Sequence, residues 1–267
     1  MNGPLLRHTL AANALRLIVI CAGLVLMGVV MPVMFAAFGQ EVATFMESSP
    51  LLRQFADFGG GDLFSLAGSI ALAFTHPFTL LLVGIMAVAF PALAIAGERD
   101  RGTLEVTLSR PLSRRRLFVT LYVAGLGFIG LLLAVLSITI VAATYAVGLG
   151  HELALGNVAQ LWLAAWLLFV AFMSLAFAVS VSSDRAAPAI GIPAVFILLN
   201  YLAWAIGSLW PDARWLEDYS MFNLMKPQDI ITAGLAPTDA LILLAFTVAC
   251  LAFALYRLPR RDLPAPS

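Results

Sequence analysis

Long apolar runs alternate with short polar segments along most of the chain. A helix that crosses a bilayer needs about 20 mostly apolar residues. Six runs meet this requirement: Leu17–Phe38, Pro77–Gly97, Leu117–Gly148, Val158–Ser182, Ala186–Trp210 and Ala240–Tyr256. A seventh run, Leu63–Phe74, has only 12 residues, so we predict a re-entrant or interfacial segment there. The pattern predicts an all-α membrane protein with six transmembrane helices, forming a single domain over residues 1–267.

The composition excludes several classes of protein. Of the 267 residues, 62% are hydrophobic and only 11% are charged, whereas soluble proteins have about 25% charged residues. Soluble enzymes, nucleic-acid-binding proteins and disordered chains are therefore excluded. The sequence contains no G-x-x-x-x-G-K-[ST] loop, so we do not expect ATP hydrolysis at a Walker-type site of this chain.

The basic residues predict the orientation of the chain. Lys and Arg collect on cytoplasmic loops, and an even number of spans places both termini on one side. The side of the termini holds 12 of the 15 basic residues: Arg7, Arg16, Arg99, Arg101, Arg110, Arg114, Arg115, Arg116, Arg185, Arg257, Arg260 and Arg261. We therefore predict cytoplasmic termini and two long outer connections, 39–76 and 211–239, with short helices lying on the outer surface.

Few polar groups lie inside the predicted spans. Ion-coupled transporters usually hold ionisable residues at membrane depth, and these spans have almost none. Asn200 is the most conspicuous polar residue, and it forms either an interhelical hydrogen bond or part of a transport pathway. Four tryptophans at the predicted outer ends of spans four and five are typical of interface anchors: Trp162, Trp166, Trp204 and Trp210.

The loop 98–116 between spans two and three has the pattern of a short, capped helix. Gly102 permits a chain reversal, Thr103 is a plausible N-cap, and the carboxylate of Glu105 suits the positive end of a helix. Leu104 and Leu108 share one face of this helix at i, i+4 spacing. A short amphipathic helix presented at the cytoplasmic surface is a docking element.

The end of the same loop is equally patterned. Pro111 cannot continue the short helix, and Ser113 can cap the third span. The alternative is a loop whose arginines only fix the topology and contact anionic lipid. That alternative accounts for Arg114 and its two arginine neighbours, but not for the order of glycine, threonine, leucines and proline.

The motif Gly97-Glu98-Arg99-Asp100-Arg101-Gly102-Thr103-Leu104-Glu105, followed by Ser109-Arg110-Pro111-Leu112-Ser113-Arg114, resembles the signature of ABC-2-type exporter permeases. The similarity is greatest to the subgroup that contains the permease of the nitrous-oxide-reductase maturation transporter. The resemblance implies the transmembrane subunit of an ATP-driven exporter, in the bacterial inner membrane. It also implies that Leu5–Arg16 is an amphipathic elbow helix on the membrane surface, although a simple extension of the first span fits equally well.

By this resemblance, Gly102 to Ser109 forms a coupling helix that docks in a cleft of a separate ATPase subunit. The implied docking residues are Glu98, Arg99, Arg101, Gly102, Thr103, Leu104, Glu105, Leu108, Pro111, Ser113 and Arg114. Two copies of the chain would pair around a pathway, each with one ATPase. ATP and Mg would bind to that ATPase, and this chain would hold no cofactor. Its other partner would be membrane lipid, without nucleic acid. Two alternatives stay open: a permease of a metalloenzyme-maturation system, and an ion-coupled secondary transporter.

Overall fold

The computed structural model describes residues 2–47, 65–102 and 113–260, and these residues form helices and short connections without a strand. The helices are α1 Gly3–Glu47, α2 Leu66–Thr75, α3 Pro77–Ala92, α4 Arg114–Ala146, α5 Leu155–Ser182, α6 Ala186–Leu209, α7 Pro227–Ala233 and α8 Pro237–Arg257. A π-helical turn, Leu93–Gly97, and a last turn, Glu98–Asp100, extend α3. In the described part of the chain, 6 helical segments are long and apolar enough to cross a membrane, which confirms the six predicted spans.

Helix α5 lies at the centre of the bundle. In its most apolar stretch 78% of the residues are buried, compared with 17% in α6 and in α8. It packs against α3, α4, α6 and α8. Because α5 is enclosed by other spans, two of its buried serines reach groups on its neighbours: Ser174 contacts Tyr122 of α4 and Ser180 contacts Pro91 of α3.

Helices α4 and α5 meet through indole hydrogen bonds. The Nε1–H groups of Trp162 and Trp166 donate to the carbonyl oxygens of Gly130 and Leu126, both at 3.1 Å. A Cβ atom on Gly130 would lie 3.3 Å from Nε1 of Trp166, so glycine permits the close approach. These two tryptophans therefore join two spans, a role that the prediction of interface anchors did not include.

The N-terminal segment was predicted as either an elbow helix or an extension of the first span. Helix α1 runs without a break from Gly3 to Glu47, so Leu5–Arg16 is the first part of a long helix and not a separate elbow. The side-chain oxygen of Asn2 caps this helix by accepting from the amide of Leu5 at 3.1 Å. The backbone amide of Asn2 donates to Thr120 Oγ1 of α4 at 3.1 Å. The cap and this link to α4 hold the start of α1 in line with its apolar continuation.

The region 39–76, predicted as an outer connection, contains more of the bundle than expected. Helix α1 reaches Glu47, and α2 is largely buried and leads into α3 through a bend at His76 and Pro77. The hydroxyl of Thr79 donates to the carbonyl of Ala73 at 2.7 Å, which satisfies an acceptor freed by the bend. The apolar run predicted as a re-entrant or interfacial segment is therefore the first part of the second span.

The connection 211–239, predicted to lie on the outer surface, is partly buried in the helix bundle. The 3₁₀ segment Pro211–Tyr219 is exposed at its end, where Tyr219 keeps 79% of its surface. The following residues turn inward, and Phe222 is only 1% exposed. The Phe222 ring is buried without leaving the neighbouring polar groups unpaired, because Ser220 and the Met221 amide both form hydrogen bonds with Asn200.

Candidate functional site at the end of the second span

The second span ends in a π-helical turn that a serine from α5 supports. Pro91 has no N–H group, so the regular ladder is interrupted just before Leu93–Gly97. The fully buried hydroxyl of Ser180 accepts from the amide of Ala96 at 3.1 Å and donates to the carbonyl of Pro91 at 2.9 Å. It thus bridges two backbone groups five residues apart. Turns of this kind are frequent at functional sites.

Small side chains bring α6 against the same turn. Ala92, Ala96 and Ala189 are all fully buried and form one cluster, with Ile190 packed beside it. Methyl groups allow the backbones of the second and fifth spans to approach closely. The π turn is therefore enclosed by α5 on one side and by α6 on another.

Two charged residues after the π turn bind the connection between α5 and α6. The Nη1 group of Arg99 donates to the carbonyl of Ser183 at 2.6 Å and lies 3.7 Å from a carboxylate oxygen of Asp184. The Arg99 side chain is only 7% exposed. Asp100 accepts from the amide of Ala186, the first residue of α6, at 3.2 Å. We call Arg99, Asp100 and the connection 183–185 the junction.

The electrostatics of the junction favour this arrangement. The first amides of a helix lack intrahelical acceptors and carry partial positive charge, so the Asp100 carboxylate stabilises the start of α6. The Arg99 guanidinium is oriented by a carbonyl and a carboxylate together. The end of the second span is therefore fixed to the connection between spans four and five.

Glu98, Arg101 and Gly102 continue the chain from the junction. Arg101 Nη2 and Glu98 Oε1 form an ion pair at 2.6 Å, which is partly exposed. Gly102 has a φ of +69°, in the left-handed region that favours glycine. This conformation suits the predicted chain reversal, which stays a prediction because residues 103–112 lie outside the described part of the chain. The described part of this segment therefore ends at a left-handed glycine, where the predicted coupling helix would begin.

The other predicted docking residues divide into two groups. Ser113 Oγ accepts from the amide of Arg116 at 3.3 Å, which confirms Ser113 as the N-cap of α4, and Arg114 is the first residue of that helix. Five proposed docking residues of the coupling segment lie outside the described residues: Thr103, Leu104, Glu105, Leu108 and Pro111. Its docking role stays a prediction.

Asn200 lies away from this cluster, near the other end of α6. Its Oδ1 accepts from the amide of Met221 at 2.9 Å, its Nδ2 donates to the carbonyl of Phe196 at 3.0 Å, and its own carbonyl accepts from the Ser220 hydroxyl at 2.7 Å. The Asn200 side chain therefore holds the connection between α6 and α7 against α6. A contact with a transported molecule stays a prediction.

Four hydroxyl groups inside the spans, those of Ser137, Thr139, Thr144 and Ser174, have structural partners. Ser137, Thr139 and Thr144 each donate to the carbonyl four residues earlier, at 2.7–2.8 Å. Ser174 bonds in the same way to Val170 and also contacts the Tyr122 hydroxyl at 2.7 Å. These groups are satisfied without a ligand.

The sequence did not predict the contacts of the π turn and of the junction that join residues distant in the chain. Ser180 reads as one more helix hydroxyl, and Asp184 as one charge in a short turn. Pro91 inside an apolar run was the available signal for an irregular second span. Asp100 precedes the predicted reversal, and nothing in the local sequence indicated that its carboxylate would cap a helix that begins 86 residues later.

A comparison with known families covers this whole region. The family described as ABC-2 family transporter protein matches residues 9–263. The chain belongs to this family. It is thus a membrane permease of an ABC transporter, and as an ABC-2 permease it is a transmembrane component and not itself catalytic. Membership implies an ABC ATPase partner in general. No curated protein matches the chain.

Proposed function

We propose that this ABC-2 permease is the transmembrane subunit of an ATP-driven exporter in a bacterial inner membrane, with cytoplasmic termini. Two copies form the pathway, and each binds a separate ATPase through the segment 98–116. The junction carries the proposal. It links the residues that precede the predicted coupling helix to the connection between spans four and five, through Arg99 and Asp100.

The proposed mechanism follows from that link. Closure of the ATPase pair displaces the coupling helix, and Gly102 transmits the displacement to the end of the second span. Because Arg99 and Asp100 bind the connection 183–185 and the start of α6, spans two, four and five move together at this end. Helix displacements at packed interfaces are a common form of conformational switching.

Docking is tested by two matched acidic substitutions on the predicted helix. Leu104→Asp places a charge on the face that Leu104 and Leu108 share, and Val106→Asp places the same charge about 200° away around the helix. We expect the ATPase to co-purify with Val106→Asp but not with Leu104→Asp. Equal recovery of the ATPase with both variants would contradict docking through this face.

Transmission is tested by a second pair that changes charge equally. Arg99→Gln removes the contact with Ser183 and Asp184, whereas Arg185→Gln changes an exposed residue of the same connection. We expect both variants to bind the ATPase. Stimulation of ATPase activity by the permease should fall roughly tenfold in Arg99→Gln only, equivalent to about 1.4 kcal/mol of coupling free energy. Similar stimulation in the two variants would overturn the role of the junction.

Within the family, the resemblance of the 97–114 motif supports a narrower alternative, a permease that serves maturation of a metalloenzyme. Deletion of the gene distinguishes the two. Loss of the mature metalloenzyme, with unchanged tolerance of exported compounds, would favour maturation, and the reverse result would favour general export.

A further inference from the structure

The first turns of α1 carry a polar stripe toward the bundle. Thr9, Asn13 and Arg16 follow one another along the helix: Asn13 Nδ2 donates to the Thr9 carbonyl at 2.9 Å, and Arg16 Nη1 donates to Asn13 Oδ1 at 3.3 Å. On the outer side Leu15 is 75% exposed and Ile18 is 65% exposed. Apolar side chains therefore cover part of the outer side of α1, while Thr9, Asn13 and Arg16 form a polar stripe that begins at the buried Thr9. In membrane proteins such a stripe faces a partner helix or a hydrated cavity.

Here the stripe lines a cavity of about 380 Å³. Leu93 of the π turn and Leu117 and Leu121 of α4 form its apolar part. The Glu98–Arg101 ion pair lies at its polar part. This volume is within the roughly 300–1,000 Å³ range of sites that hold small molecules. The lining of the cavity thus combines charged and apolar side chains.

The charges of the cavity favour an anionic group. Among the described residues that line it, Arg16 and Arg101 supply two guanidinium groups and Glu98 supplies one carboxylate. Glu98 already lies 2.6 Å from Arg101, so Arg16 is the positive charge left for a ligand. The amide of Asn13 and the imidazole of His8 add further polar contacts.

We propose that this cavity binds one anionic membrane phospholipid. The phosphate lies against Arg16, near Arg101, and an acyl chain packs against Leu93, Leu117 and Leu121. The exposed leucine and isoleucine side chains of α1 place the adjoining surface in the membrane, so a lipid enters from the same leaflet. Basic pockets between transmembrane helices bind phospholipid headgroups in this way. The proposal does not depend on the proposed transport function.

The experiment uses the full chain in detergent with phosphatidylglycerol or phosphatidylcholine, and native mass spectrometry measures the bound lipid. Wild type should retain phosphatidylglycerol in preference to phosphatidylcholine. Arg16→Gln should weaken phosphatidylglycerol binding roughly fivefold, which corresponds to about 1 kcal/mol for one basic side chain. Arg7→Gln is the control, since Arg7 is an exposed residue of the same helix that does not line the cavity.

Three results would overturn the proposal. The first is equal retention of the two lipids by wild type. The second is unchanged phosphatidylglycerol binding in Arg16→Gln. The third is an equal loss in Arg16→Gln and Arg7→Gln, which would indicate general surface attraction without a site. Because Arg16 is exposed, its substitution should leave the fold intact, and thermal unfolding of the variant checks this.

Discussion

The two ends of α6 are held by different kinds of contact. At one end, buried aromatic rings pack together: Phe222 is 1% exposed, and its ring centroid lies 5.7 Å from that of Tyr201 and 6.4 Å from that of Trp204. At the other end, α6 begins at the junction, where the direct links are the hydrogen bond from Ala186 to Asp100 and contacts between alanines.

This difference separates a fixed end from an end that can be displaced. Aromatic burial is lost only when the rings leave their packing, which costs several kcal/mol. A hydrogen bond at an exposed helix end exchanges with water at a net cost of about 1 kcal/mol. Movement imposed through the second span should therefore shift the junction end of α6 and leave the Phe222 end in place.

The largest expected effect is at the aromatic end. Phe222→Ala should lower the free energy of unfolding by about 3–5 kcal/mol, because it leaves a cavity among buried rings. Thermal unfolding in detergent measures the loss, with Tyr219→Ala as the control because Tyr219 is 79% exposed. A loss for Phe222→Ala no larger than for the control would contradict the fixed end.

Asn200→Ala tests a polar contact on the same half of α6. The substitution removes the acceptor for the Met221 amide, and the loss of a hydrogen bond that is partly buried costs about 1 kcal/mol. We expect lower stability, with unchanged binding of the ATPase and unchanged stimulation of its activity. A loss of stimulation without a loss of stability would instead favour the predicted role in the pathway.

Asp100→Ala tests the junction end. Loss of a capping carboxylate typically costs about 1 kcal/mol, so the variant should be only slightly less stable than wild type. Hydrogen exchange at the first turn of α6 should become faster, while exchange near Trp204 should not change. Faster exchange at both ends would show that α6 does not have one fixed end.

Asp184→Asn should have the smallest effect. Its carboxylate is 67% exposed and 3.7 Å from Arg99, and exposed ion pairs contribute roughly 0–1 kcal/mol. We expect a change in unfolding temperature close to the error of the measurement. A loss comparable to that of Phe222→Ala would show that the junction depends on this ion pair.

The sequence predicted the spans well, and part of the site. Ser113 forms the expected N-cap, because a cap depends on the local backbone, and Gly102 has a left-handed φ that suits the predicted reversal. For Leu5–Arg16 the sequence left open an elbow or an extension of the first span, because a stripe of leucines suits an interfacial helix and a continuing span equally. The structure has one continuous helix there. The seventh apolar run was assigned by its length alone, and the bend at Pro77 makes it part of the second span.

The pattern of residues along the chain was enough to predict that it enters a membrane, how many times it crosses, and that Ser113 caps the third span. These properties follow from the apolar character of consecutive residues and from backbone conformation, which are local. Three features became visible in the folded chain alone: Ser180 supports the π turn, Asp100 caps α6, and Phe222 packs inside the bundle. Each of these contacts joins residues distant in the chain, and the packing of the helices, not any pattern within one of them, selects the partners.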